Sequence, residues 1–258
     1  MQRFGTHGRR EGLDSVTALL SEQTAVITGA SSGIGTAIAL CLAEEGAKLR
    51  LVGRNSANLD AVAQCARKHS PQVLTYQADL NSDEELEKLQ SALKRDCETL
   101  EVLIHSAGII AMGAFQTASP VDFDRQYRTN VRAPYVLTQA LLPLLRRYHG
   151  SIVFINSSAG LSARANISQY SATKHALKAV ADSIRAEVNP DDVRVLSIYP
   201  GRTASPQQAE IYKAEGKTYR ADLLMQPADV ARILVDALKV NRTAEVTDIS
   251  IRPMRKIY

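Results

Sequence analysis

Seven short apolar runs recur along this chain of 258 residues, and every gap between successive runs is long enough for a helix. They are TAVIT (24–28), KLRLVG (48–53), QVLTYQA (72–78), EVLIHSAG (101–108), SIVFINSS (151–158), VRVLSIYP (193–200) and EVTDISI (245–251). Antiparallel strands can be joined by two-residue turns, whereas parallel strands need long crossovers, normally helical. The alternation therefore predicts a parallel sheet. The second, fourth, fifth and sixth runs are almost continuously apolar, as strands covered on both faces are. Right-handed crossovers then wind helices onto both sides. The expected fold is α/β, a single-domain, doubly wound, parallel seven-stranded sheet with helices on both faces. No repeat or linker divides it.

Helical patterns fill the gaps over 33–45, 56–68, 82–98, 119–148, 168–188 and 227–240. Ser82 with Glu85 reads as a capping box. Pro134 and Pro143 are expected to bend or divide the longest helix. Residues 1–21 read as an N-terminal extension and 22–258 as one folded domain. Within it, the polar stretch 205–226 reads as a short loop forming a substrate lid.

Composition narrows the partners. Lysine and arginine exceed aspartate and glutamate by 31 − 27 = +4, spread along the chain. That suits an anionic ligand and is too weak for nucleic acid. No run approaches the length of a membrane span. Arg3, Arg9 and Arg10 stand in an N-terminus without the apolar stretch of a secretory signal, so a cytoplasmic location is expected. Cys41, Cys65 and Cys97 are odd in number, fall on predicted helices and lack metal-ligand spacing. They read as apolar filler, and no metal site is expected.

The segment Thr28-Gly29-Ala30-Ser31-Ser32-Gly33-Ile34-Gly35 joins the first strand to the first helix. Glycines there allow a tight turn and close approach of a pyrophosphate, and the helix N-terminus adds free N–H groups. This makes the expected sheet Rossmann-like. After the second strand, where an acidic residue would hold a free ribose 2′-hydroxyl, the chain has Gly53-Arg54-Asn55. No carboxylate is present, and Arg54 suits a 2′-phosphate. The expected cofactor is therefore NADP (NADPH) rather than NAD.

Tyr170 and Lys174 stand at i and i+4 near the start of the helix after the fifth strand. That spacing puts phenol and ammonium on one face. A nearby cation lowers a phenol's pKa and makes it a usable acid–base. Ser157 ends the fifth strand, thirteen residues earlier, and can bond a substrate oxygen, with Ser158 as its rival. Asn130 lies inside the long helix, an unfavourable place for asparagine unless it has a role.

Together these residues resemble the classical short-chain dehydrogenases/reductases over about residues 22–252. The likeness rests on TGASSGIG (28–35), Asp79-Leu80, Ser106-Ala107-Gly108, Asn130, Ser157, Tyr170-x-x-x-Lys174 and Pro200-Gly201. It implies that Tyr170 exchanges a proton with the substrate. Lys174 would hold the nicotinamide ribose and lower the Tyr170 pKa, and Ser157 would orient the substrate oxygen. Asn130 would hold a water linking Lys174 to solvent. Gly29, Ser31, Ser32, Gly33, Ile34 and Gly35 would cradle the pyrophosphate. Asp79 would bond the adenine, as would the Leu80 backbone. Ser106, Ala107 and Gly108 would face the adenosine, and Pro200, Gly201, Thr203 and Ser205 would border nicotinamide and phosphates. Five positions depart from the family pattern. His105-Ser106 replace an Asn-Asn pair, Ser205 replaces threonine, Ser32 stands where some NADP-using members carry a basic residue, and Arg202 follows Pro200-Gly201 where an apolar residue is usual. His105 is read as a satisfied core histidine and Arg202 as a structural salt bridge.

The resemblance implies an NADP-dependent oxidoreductase moving a hydride between nicotinamide and a secondary alcohol or ketone. Hydroxy or oxo acids and acyl thioesters are among the possible substrates. The alternatives are a silent dinucleotide-binding sensor or scaffold, and a lyase or epimerase. The partner is a small carbonyl or alcohol, with no nucleic acid and no membrane. The resemblance implies a homotetramer, or failing that a homodimer, since the last helix (227–240) and last strand (245–251) resemble the elements through which family members pair; VARILVDALKV (230–240) also has more apolar positions than one buried stripe needs.

Overall fold

The computed structural model describes residues 20–255. Its strands are β1 (Thr24–Thr28), β2 (Lys48–Gly53), β3 (Val73–Gln77), β4 (Val102–His105), β5 (Ser151–Ile155), β6 (Arg194–Pro200) and β7 (Asp248–Ile251). All pair in parallel, in the order β3-β2-β1-β4-β5-β6-β7. The chain winds outward from β1 to β3, returns to place β4 beside β1, and then winds outward the other way. A crevice opens at the C-terminal ends of β1 and β4, where the two windings part.

The helices are α1 (Gly33–Glu44), α2 (Ser56–Ala66), α3 (Asp83–Asp96), α4 (Pro120–Tyr127), α5 (Ala133–Arg147), α6 (Ser168–Val188), α7 (Pro206–Ala214) and α8 (Pro227–Leu238). Strand alternation sorts the core into two layers. Ile27 of β1 packs with Ile38, Leu42, Leu59 and Leu234, from α1, α2 and α8. Its neighbour Val26 packs with Leu86, Leu93, Leu137 and Leu177, from α3, α5 and α6.

Three local expectations are corrected. The helix over 119–148 is divided by a π-helical turn, Arg128–Arg132, and not by proline. Pro134 sits in the first turn of α5, where a missing N–H is harmless, and α5 continues through Pro143. The capping box forms only in part. Ser82 Oγ accepts the Glu85 N–H at 3.3 Å, but the Glu85 carboxylate accepts the Asp79 N–H at 2.7 Å instead of reaching back to Ser82. The segment 205–226 is not simply loop. Ser205 caps α7 by accepting the Gln208 N–H at 3.1 Å, with Pro206 in the first turn. Tyr212, Leu224 and Ala204 form a small buried cluster beneath it. In α8, Val230, Ala231, Leu234, Val235 and Leu238 are buried against the core, while Ile233, Ala237 and, just past its end, Val240 are half-buried.

The extension expected over residues 1–21 lies outside the described residues except Leu20 and Ser21, and Leu20 is buried in the core. Among the described residues no helix is long and apolar enough to cross a membrane.

Candidate active site

The floor of the crevice is built from main chain. Thr28, at the end of β1, accepts the N–H groups of Ser106 and Ala107 through its hydroxyl, each at 3.2 Å. This side-chain bond ties the ends of β1 and β4 together. Gly29 has φ +70°, and a Cβ there would sit 2.7 Å from the Ala107 backbone. At Gly35 a Cβ would meet the Gly29 carbonyl oxygen at 2.2 Å. Only glycine fits these two positions, because main chain cannot move aside as a flexible side chain can. Ser32 begins α1 without a side-chain cap bond, and no acidic residue stands in the first turn. The free N–H groups and the helix dipole therefore favour an anion.

One cleft gathers the residues expected to hold the cofactor. Gly29, Ser31, Ser32, Gly33, Ile34 and Gly35 line it on one side. Arg54, Asp79 and Leu80 border its outer end, and Ser106, Ala107 and Gly108 form its floor. Tyr170, Lys174 and Ser205 close it. Pro200, Gly201, Thr203 and Ser157 line an adjoining cavity, which shares Tyr170 and Ser205 with the cleft. Arg54 is exposed, with no side-chain ion pair or hydrogen bond among the described residues. A Cβ at Gly53 would lie 2.9 Å from Ser31 Oγ and 3.0 Å from its Cβ, so a side chain there requires Ser31 to give way. The residues fit a dinucleotide: a small-residue floor, an uncapped helix start, and a free guanidinium at the outer end.

Tyr170 and Lys174 meet where cleft and cavity join. Lys174 is buried, its Nζ donates to the Ile155 carbonyl at 3.1 Å, and it lies 5.8 Å from the Tyr170 ring centroid. Burial pulls the Lys174 ammonium down to about 8. Burial likewise pushes the Tyr170 phenol up, with a hydrogen bond to Ser157 acting in the opposite direction. In the protein alone, desolvation thus outweighs the lowering expected from Lys174. The ammonium is itself desolvated and directed at Ile155. Ser157 also accepts the Ala159 N–H at 3.1 Å, which fixes its hydroxyl at the head of a 3₁₀ turn, Ser158–Gly160.

Asn130 lines neither space. It is fully buried in the π-helical turn, and its Oδ1 lies beneath Gly108. That Oδ1 accepts the Ile109 N–H at 2.9 Å, while Nδ2 donates to the Ile109 carbonyl at 2.9 Å and to Thr173 Oγ1 at 3.0 Å. Both amide protons are therefore engaged, and the side chain clamps the loop after β4 to α6. The π turn explains why this asparagine sits mid-helix: the extra residue turns its amide inward.

Two departures from the family pattern resolve as expected. His105 is buried, stacks on Phe154 with centroids 5.1 Å apart, and bonds Thr138 Oγ1 at 2.8 Å. Burial lowers its pKa to about 3, so it stays neutral. Arg202 pairs with Glu215 at 2.5 Å. Sequence reasoning gave no role to Asn156, which lines both spaces and donates to the Lys174 carbonyl at 3.1 Å. The available signal was a polar residue closing an apolar strand, immediately before Ser157.

The sheet order, with Tyr170 and Lys174 at its crevice, defines a doubly wound α/β protein built around a tyrosine–lysine pair. The family model for short chain dehydrogenase matches residues 23–216. An uncharacterized oxidoreductase of Staphylococcus aureus (strain USA300) is 32% identical over 237 residues, covering 92% of this chain and 99% of the relative. A metagenomic short-chain oxidoreductase solved in complex with NADP superposes with a TM-score of 0.79 at 27% identity, covering 92% of this chain and all of that one. The L-sorbose reductase of Gluconobacter frateurii, solved with NADPH and L-sorbose, gives a TM-score of 0.82 at 26% identity over 90% and 95% of the two chains. The chain belongs to the short-chain dehydrogenase/reductase family and is an oxidoreductase.

Proposed function

We propose that the protein is an NADP(H)-dependent reductase that moves a hydride between nicotinamide and a ketone or secondary alcohol. The observation that carries this is the position of Tyr170, with Ser157 and Lys174, at the junction of the phosphate-binding cleft and a second cavity. When bound, NADPH supplies the hydride. Tyr170 supplies the proton to the carbonyl oxygen. Its raised pKa keeps the phenol protonated near neutral pH, the form that reduction needs. Ser157 orients that oxygen through its hydroxyl. Lys174 holds the ribose and, once charged, stabilises the phenolate left behind. Asn130 and Asn156 position α6, which carries both groups. The NADP and NADPH complexes of the two solved relatives support the cofactor, and Arg54 supports the 2′-phosphate form.

Replacing Tyr170 by Phe keeps the ring and removes the proton. Turnover of a ketone found in a carbonyl panel should fall by about 10²–10⁴-fold, while NADPH binding followed by fluorescence stays near wild type. Near-full turnover in Tyr170→Phe would falsify the mechanism. We also propose assembly as a homotetramer or homodimer. The exposed Val121, Phe123, Tyr127 and Tyr135 around α4 and α5 support it, and light scattering at micromolar concentration tests it.

A further inference from the structure

Beyond Tyr170 the crevice opens into a cavity of about 580 Å³. Four charged side chains line it, Arg164, Arg202, Lys217 and Glu215, so three cations face one carboxylate. Glu215 is shared: Arg202 Nη2 lies 2.5 Å from one of its oxygens and Lys217 Nζ 3.2 Å from the other. Arg202 is also stacked 4.7 Å over the Tyr212 ring. Its pairing fixes it as part of the wall and leaves its buried Nη1 without a hydrogen-bond partner. Arg164 stands on the exposed loop between the 3₁₀ turn and α6, with no ion pair or hydrogen bond among the described residues. Subtracting the one carboxylate from the three cations leaves +2 on the cavity wall.

A cleft with low-dielectric walls and one sign of charge concentrates ligands of the opposite sign. A free guanidinium adds direction, because its fork matches a carboxylate. Resting on the reading above, we propose that the substrate is an oxo acid, reduced to the hydroxy acid, whose carboxylate is received by Arg164 within the field of Arg202 and Lys217. The reacting end lies at Tyr170 and Ser157, and Ile110, Met112 and Ile211 offer apolar wall between. In the step, the hydride forms a C–H bond at the carbonyl carbon and the Tyr170 proton forms the O–H bond. The ketone gains two electrons from the hydride donor, which is oxidised, and the carboxylate is unchanged.

The test compares straight-chain oxohexanoates, with the ketone at the second, third or fourth carbon, against their methyl esters. At least one acid should exceed its ester in kcat/KM by roughly tenfold or more, the scale of one charge-assisted hydrogen bond. Arg164→Gln should collapse that acid-to-ester ratio, and the ratio should fall as salt rises. Lys94→Gln removes the same charge from the exposed surface of α3 and should preserve the ratio. Calorimetric titration of wild type and Arg164→Gln with the preferred hydroxy acid gives a readout apart from turnover, and affinity should fall in the variant. Esters used as well as acids, or a ratio unmoved by Arg164→Gln, would overturn the proposal and leave the reductase reading standing. Absence of both NADPH binding and ketone turnover would remove that reading and the proposal with it.

Discussion

The cleft between Gly29 and Arg54 and the cavity between Arg164 and Lys217 meet at Tyr170, yet they are made of different material. The cleft is main chain and small residues held at strand ends, with Gly29 and Gly35 packed against backbone. The cavity is side chains, brought together from the loops after β4 and β5 and from the segment that carries α7. Backbone shape follows from local turn chemistry and is rigid. Side-chain shape depends on partners far apart in sequence, such as Arg202, Tyr212 and Glu215. The first suits a part that must hold a constant ligand, and the second a part that sets selectivity.

The largest expected effect breaks the cleft by one methyl group. In Gly35→Ala the added carbon meets the Gly29 carbonyl oxygen at 2.2 Å, and only a shift of α1 relieves it. A loss of about 3 kcal/mol or more is expected in urea unfolding. In Gly113→Ala, on the cavity side, the nearest atom is 3.6 Å away, and stability should change by less than about 1 kcal/mol. Equal losses would erase the distinction between rigid cleft and adaptable cavity.

The same distinction explains what the sequence made legible. The strand runs and the glycine spacing gave the sheet, its winding and the cleft lining, because each is a local pattern repeated or punctuated. Tyr170 and Lys174 were readable because i, i+4 places them on one face whatever surrounds them. The π turn was not readable, since it depends on Asn130 finding Ile109 and Thr173 across the fold. Nor was α7: its segment is polar, and only the burial of Tyr212 and Leu224 reveals which face turns inward. The raised Tyr170 pKa was missed for a related reason. Spacing shows a neighbouring cation but not the desolvation of both groups.

That desolvation gives the second prediction, set where the two regions meet. Holding the Lys174 ammonium at about 8 against an ordinary 10.5 costs the fold up to about 3 kcal/mol below pH 8. Between those two values an unfolded chain keeps the proton and the folded one releases it. Stability of the wild type should therefore rise with pH through this window relative to Lys174→Met. Paired denaturant titrations at pH 7.5 and pH 10 measure the difference, which should move by roughly 1–3 kcal/mol. A difference independent of pH would mean that the ammonium is solvated.

The third prediction sharpens the cleft at its exposed end. Arg54→Ala should weaken NADPH by about tenfold, the low end for a charge-assisted hydrogen bond because the guanidinium is exposed, and should leave NADH nearly unchanged. A switch toward NADH is sought with Arg54→Asp, and with Gly53→Asp, where the added side chain requires Ser31 to give way. Equal loss of both cofactors in Arg54→Ala would return Arg54 to the role of a surface residue.

The smallest effect probes whether the cavity wall moves independently of the cleft. Tyr219 moors the start of α7: its hydroxyl accepts the Ser205 N–H at 3.1 Å and points back to the Ser205 carbonyl at 3.4 Å. Ser205 in turn caps α7 and borders both cleft and cavity. Tyr219→Phe removes the mooring and keeps the ring, which packs edge-on against Tyr212 with centroids 5.6 Å apart. One lost hydrogen bond of about 0.5–1.5 kcal/mol should raise local opening of α7 by roughly two- to tenfold. Hydrogen exchange should quicken by that factor over residues 205–215 and remain unchanged over 29–35. The turn at Gly29 and Gly35 is held by main chain, so loosening α7 has no lever on it. Faster exchange in both segments would mean that cleft and cavity open as one unit, and the division between a fixed ligand site and an adaptable one would fail.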